Sequence, residues 1–213
     1  YYGKGDQEGI RHTFRIKMVI AVGVTLIFTL AFALFGPALI NQFLHKGKEN
    51  LDLAATLEHG KSYLTVMLFG LLPFAVSQTY AGTLKETGET VLPMKAGIAA
   101  VLVNFCLNYV LIFGKFGAPK LGVTGAAIAT VISRIVECLI VIIWTHRHRE
   151  KNPFIAGVYR SFHVPSALVW AVVRKGLPLM VNEVLWSIGM TMLTQCYSTR
   201  GLEAISATNI SST

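Results

Sequence analysis

Glu183 is the only formally charged residue between Gly176 and Thr199, and Ser187, Thr191, Thr194 and Ser198 follow it at intervals of three or four residues. On a helix that spacing puts the four hydroxyls on the same face as the carboxyl. A carboxylate carried into hydrocarbon costs about 2.5–3.5 kcal/mol on insertion scales, so its presence needs a reason. It can exchange a proton, or hold Na+ where further oxygens converge; the alternative is a structural glutamate bonded to a neighbouring helix. Asn104 and Asn108, four residues apart, also share a face. Two carboxamides can line a cavity, relay hydrogen bonds or coordinate a cation weakly, or they can act as interhelical glue worth about 0.6–2 kcal/mol each. Arg134 and Glu137 stand at i, i+3, close enough to neutralise each other. A gating or substrate role is the alternative for that pair.

The elements that must position these residues are membrane helices. Of the 213 residues 53% are hydrophobic and 14% charged, whereas a soluble domain carries about 25% charged residues. The apolar residues gather into blocks. Residues 18–44, 62–84 and 96–114 contain no charge, 121–145 is broken only by Arg134 and Glu137, and 176–199 only by Glu183. A spanning helix needs about 20 such residues, which predicts five spans. A further apolar stretch opens after Glu203. The chain begins with neither an initiator Met nor a signal-peptide pattern, and the expectation is a piece entered in a loop and ending inside a helix.

Pro73 lies near the middle of the second span and Pro178 near the start of the fifth, and each is expected to kink its helix. Gly122, Gly125, Ala126, Ala127 and Ala129 form a small-residue face for close packing of the fourth span. The longest connection, 147–175, is basic and holds Pro153, Pro165 and Trp170. Its residues 166–173 are expected to form a separate short helix at the interface.

The formal charge is +8, but the basic residues sit at span ends, where they set topology and do not mark a nucleic-acid surface. With a cytoplasmic start, twelve Lys and Arg fall on the cytoplasmic side and six opposite. Catalytic signatures fail on context. Gly3-Lys4-Gly5-Asp6 fits an intramembrane-protease motif but lies in a polar loop. All six histidines are assigned to loops, none at HExxH spacing, and no GxxxxGK[ST] loop is present. Cys106, Cys138 and Cys196 form no CxxC pair and read as small buried hydrophobes. Neither an enzyme nor a metal site is expected.

Tyr2-Gly3-Lys4-Gly5-Asp6, the block 68–82, and above all Asn104 to Gly114 (NFCLNYVLIFG) followed by Pro119 to Thr130 (PKLGVTGAAIAT) resemble the multidrug and toxin extrusion (MATE) family. The resemblance implies an all-α polytopic helical bundle, part of a twelve-helix, two-lobe transporter. On that map 1–145 holds the third to sixth helices, the last four of the N-lobe. Residues 146–175 are the cytoplasmic inter-lobe linker, and 176–213 is the truncated start of the C-lobe.

By the same resemblance Glu183, after Gly176-Leu177-Pro178, is a cation-binding residue; Ser187, Thr191 and Thr194, on its face by spacing, are expected to line a substrate cavity. Asn104 matches an asparagine of the first-lobe cation site, and Asn108 falls where some members carry aspartate. The implied function is antiport of drugs or other amphipathic compounds against H+ or Na+, with no further cofactor. It would be carried out by a multi-pass protein of a prokaryotic inner membrane, a monomer when full-length, whose partners are a small-molecule substrate and membrane lipid. The rival is a lipid-linked oligosaccharide flippase of the same superfamily. A flippase should show a more cationic central cavity, and the one cation within these spans is Arg134.

Overall fold

The computed structural model describes residues 1–41, 53–160, 164–200, 206, 207 and 210. The end of the first predicted span at Leu44, Lys46 and Lys48 beyond it, and most of the stretch after Glu203 lie outside the described residues. Five long helices follow in order: α1 (Gln7–Asn41), α2 (Leu53–Glu86), α3 (Val91–Phe113), α4 (Gly122–Arg147) and α5 (Ser166–Ser198). Short 3-10 turns at Tyr2–Lys4, Pro153–Ile155 and Val158–Arg160 complete the described elements. All five helices are long and apolar enough to cross a bilayer. Even α3, the shortest at 23 residues, is about 34 Å long against a hydrocarbon core of about 30 Å.

The helices outrun the uncharged blocks that announce them. α1 begins at Gln7, so Arg11, His12, Arg15 and Lys17 are helical. His59 and His146 likewise lie in α2 and α4, which corrects the assignment of every histidine to a loop. Lack of charge marks the hydrocarbon layer, whereas a helix continues into the headgroup region for as long as packing supports it. A second correction concerns residues 166–173, which are the opening turns of α5 and not a separate helix. Pro178 removes only its own N–H, and at membrane depth the flanking backbone has no water to bond instead, so the helix carries on through it. α2 likewise runs unbroken through Pro73.

The described residues fall into two compact units, 1–34 with 63–164 and 35–62 with 165–213. In the first, the buried core sits at one end of the helices. Ile10 and Phe14 of α1, Tyr80 and Leu84 of α2, Leu92 and Ala96 of α3 and Val141 of α4 enclose Phe154, Ile155 and Val158 from the connection after α4. Phe14 is fully buried and meets the Tyr80 ring edge-on at 4.9 Å. That end meets water, so burying such a side chain is worth about 1.5–3 kcal/mol. Mid-helix, the apolar side chains face outward instead: Ile27, Phe69, Val101 and Phe105 are each at least 69% exposed. Lipid covers such surface as well as protein does, so no hydrophobic force drives them inward.

What holds α3 to α4 is close backbone approach. A Cβ on Gly125 would lie 2.8 Å from the Leu111 carbonyl oxygen, and Ala127 and Ala129 are fully buried. Gly114 ends α3 in the left-handed conformation (φ 67°), its N–H returning to the Val110 carbonyl, as a glycine terminus does. Leu121 N–H then donates to the Leu111 carbonyl at 3.0 Å, turning the chain back into α4.

Candidate functional site

The α3–α4 seam positions the first group of polar residues. Asn108 Nδ2 donates to Asn104 Oδ1 at 2.9 Å, so the two carboxamides meet as their spacing predicts. Asn104 Nδ2 in turn donates across to Thr130 Oγ1 of α4 at 3.3 Å, and Thr130 donates to the Ala126 carbonyl at 3.0 Å. This is a relay of hydrogen bonds between two helices, ending on Asn108 Oδ1, which is buried and has no partner among the described residues. A buried acceptor left unsatisfied costs about 1–3 kcal/mol, a cost that a cation or proton donor would relieve. Sequence reasoning did not include Thr130. It lies on the face predicted for packing, but only the helix register shows that it meets Asn104.

One turn further along α4, Arg134 Nη1 lies 2.9 Å from Glu137 Oε2, and its guanidinium stands 4.9 Å from the Phe74 ring centroid of α2. Glu137 is buried while Arg134 remains half-exposed. The pair and the aromatic face together occupy this cation.

α5 belongs to the second unit. Glu183 lies mid-helix, is exposed, and forms no ion pair among the described residues. The hydroxyls after it turn to their own backbone: Thr191 donates to the Ser187 carbonyl at 2.8 Å, Thr194 to Met190 at 2.9 Å and Ser198 to Gln195 at 2.7 Å. The structure thus brings Asn104 together with Asn108, and Arg134 with Glu137. It leaves Glu183, Ser187, Thr191 and Thr194 along a single helix. Among the described residues no cluster of three or more His, Cys, Asp or Glu could hold a metal ion.

A further constellation, not anticipated from sequence, lies at the water-facing end of the first unit. Tyr80 bonds to the Tyr159 hydroxyl and to His146 Nε2, the latter at 3.0 Å. Arg15, buried, donates from Nε to the Val158 carbonyl at 2.8 Å and from Nη2 to Gly157 at 2.9 Å. α1 is thereby fastened to the connection that follows α4, across some 140 residues of chain.

Comparison with known proteins agrees with this architecture. The family described as MatE matches residues 1–110, more than half of the chain. The chain is 29% identical over 86% of its length to the probable multidrug resistance protein YoeA of Bacillus subtilis, covering 40% of that protein. It is 29% identical over 95% of its length to the probable multidrug resistance protein NorM of Thermotoga maritima, covering 41%. To NorM of Bacillus licheniformis it is 32% identical over 83% of its length, covering 37%. The chain thus spans about two fifths of the length of the curated relatives it matches. No solved structure matches it.

Proposed function

Because this chain belongs to the MatE family of membrane transporters and is a multi-pass membrane protein, we propose that it forms part of a secondary antiporter. That antiporter exports amphipathic organic compounds across the inner membrane, driven by inward H+ or Na+. Relatives named as multidrug resistance proteins support the substrate class.

The observation that carries the coupling is Glu183, a carboxylate midway along a membrane-length helix with no counter-charge among the described residues. A carboxylate so placed is stabilised by taking up a proton or a cation. If the cation-bound form favours one arrangement of the transporter and substrate favours the other, the two ligands compete through conformation, and export follows from differential affinity. The Asn104–Asn108 relay with its unsatisfied acceptor supports a second polar locus in the first unit. Arg134, held by Glu137 and Phe74, does not supply the free intramembrane cation that a pyrophosphate-carrying flippase would require.

The test is dye efflux from proteoliposomes containing the full-length protein under imposed pH or Na+ gradients, wild type against Glu183→Gln. A gradient should drive efflux in wild type and not in the variant, and the effective gradient names the ion. Wild type moving no dye under either gradient would favour the flippase. A fully active, still gradient-dependent Glu183→Gln would make Glu183 structural.

A further inference from the structure

At the water-facing end of the first unit, α1, the end of α4 and the connection after it enclose an open cavity of about 790 Å³. Its size is that of a small-ligand site. Three guanidiniums, from Arg11, Arg15 and Arg149, line it against one carboxylate, Glu8. Glu8 is drawn toward His12 on its own helix at 3.7 Å. None of the three arginines has a carboxylate partner among the described residues.

Their hydrogen bonds to protein go to backbone carbonyls and leave donors over. Arg15 uses Nε and Nη2, Arg11 reaches the Phe154 carbonyl from Nε at 3.4 Å, and Arg149 the His146 carbonyl from Nε at 3.1 Å. Arg15 is the telling residue, because it is only 6% exposed and still carries an uncompensated charge. Burying a charge without a counter-charge is costly, and the cost falls if an anion shares the site. Tyr159 and His146, on the same wall, supply further polar atoms.

We infer that this cavity is a binding site for a phosphate-bearing anion, one that Arg11, Arg15 and Arg149 grip through their unused N–H groups. Guanidinium forks match phosphate oxygens in geometry and charge. The cavity lies where the helices leave the hydrocarbon layer, on the side to which the excess of basic residues assigns the cytoplasm. Basic pockets at that depth suit the headgroups of anionic lipids, and a soluble phosphate has the same chemistry. Since Arg11 and Arg15 fasten α1 to the connection between α4 and α5, an anion here would brace that connection. The inference is independent of Glu183 and of the transported compound.

The test uses purified full-length protein in two arms. In the first, native mass spectrometry reads retention of dioleoyl phosphatidylglycerol against dioleoyl phosphatidylcholine from mixed micelles. In the second, thermal melting is followed with inorganic phosphate against chloride at equal ionic strength. Arg11→Gln with Arg149→Gln is compared with wild type and with Lys115→Gln with Lys120→Gln, a charge-matched change at the exposed α3–α4 turn. Loss of two basic contacts should weaken selective retention by roughly thirtyfold, with the control unchanged.

A lipid effect lost in the arginine variant assigns a headgroup. A phosphate-induced rise in melting temperature lost there, with lipid retention intact, assigns a soluble phosphate. Either outcome upholds the site. If the double variant fails to fold, Arg149→Gln alone carries the comparison, since Arg149 is exposed and its hydrogen bond among the described residues goes to a backbone carbonyl. Variants indistinguishable from wild type in both arms, or a control that loses as much as the arginine variant, would overturn the inference.

Discussion

The α3–α4 seam and α5 carry comparable numbers of polar side chains through the membrane and treat them in opposite ways. Along the seam several polar groups answer to another helix or to a nearby opposite charge, although Asn108 Oδ1 stays without a partner among the described residues. Asn104 reaches Thr130, Glu137 holds Arg134, and Arg134 faces Phe74. Along α5 the hydroxyls bond to carbonyls of their own helix, and Glu183 has no counter-charge among the described residues. The contrast separates two uses of intramembrane polarity. Groups already satisfied hold helices together, whereas a group left unsatisfied is available to a ligand.

The largest expected effect tests the second use. Glu183→Gln should abolish gradient-driven efflux while leaving the amount of folded, membrane-inserted protein unchanged, because the exposed side chain supports no neighbour among the described residues. Fluorescence size-exclusion profiles alongside the efflux assay check both halves. A collapse in folded yield would mean that Glu183 is glue after all, and the contrast would fail.

The next effect tests the first use. Gly125→Leu drives a side chain into the Leu111 carbonyl, 2.8 Å from where even its Cβ would stand, so the α3–α4 seam must open. Overpacking of this kind costs about 1–3 kcal/mol. Thermal melting in detergent should fall accordingly, and Gly176→Leu, where nothing lies within 4 Å in its own surroundings, should change it far less. Equal losses at the two glycines would remove close approach as the seam's cause.

How much of this was legible in the sequence follows the same physics. The five spans could be read because hydrocarbon excludes charge, which leaves blocks no loop would carry. Their ends could not, because Arg11 and Arg15 look like loop residues until Phe154, Gly157 and Val158 are seen to receive them. The Asn104–Asn108 contact was legible because four residues make one helical turn, and Arg134–Glu137 because three nearly do. Thr130 and the Tyr80–His146–Tyr159 cluster were not legible, because their partners lie on other elements and periodicity is silent about register between helices. Arg174 and Lys175 misled the division of α5, since charge ends an uncharged block without ending the helix that carries it.

The smallest effects divide the two regions most sharply. Asn104→Leu removes both the bond to Thr130 and the acceptor for Asn108, and interhelical bonds of this kind are worth about 0.6–2 kcal/mol in a membrane. Thr191→Val removes a hydroxyl that bonds only to Ser187, four residues back on its own helix. The carbonyl it leaves still accepts its backbone partner, so the change should stay within about 0.5 kcal/mol. Valine keeps the shape, and packing is held constant between the two helices. Melting in the same detergent should therefore rank Asn104→Leu clearly below Thr191→Val, with the latter near wild type. If Thr191→Val costs as much as Asn104→Leu, the hydroxyl face of α5 is held by another helix. Glu183 would then lie on a packed surface, and its availability to a ligand would have to be argued again from that surface.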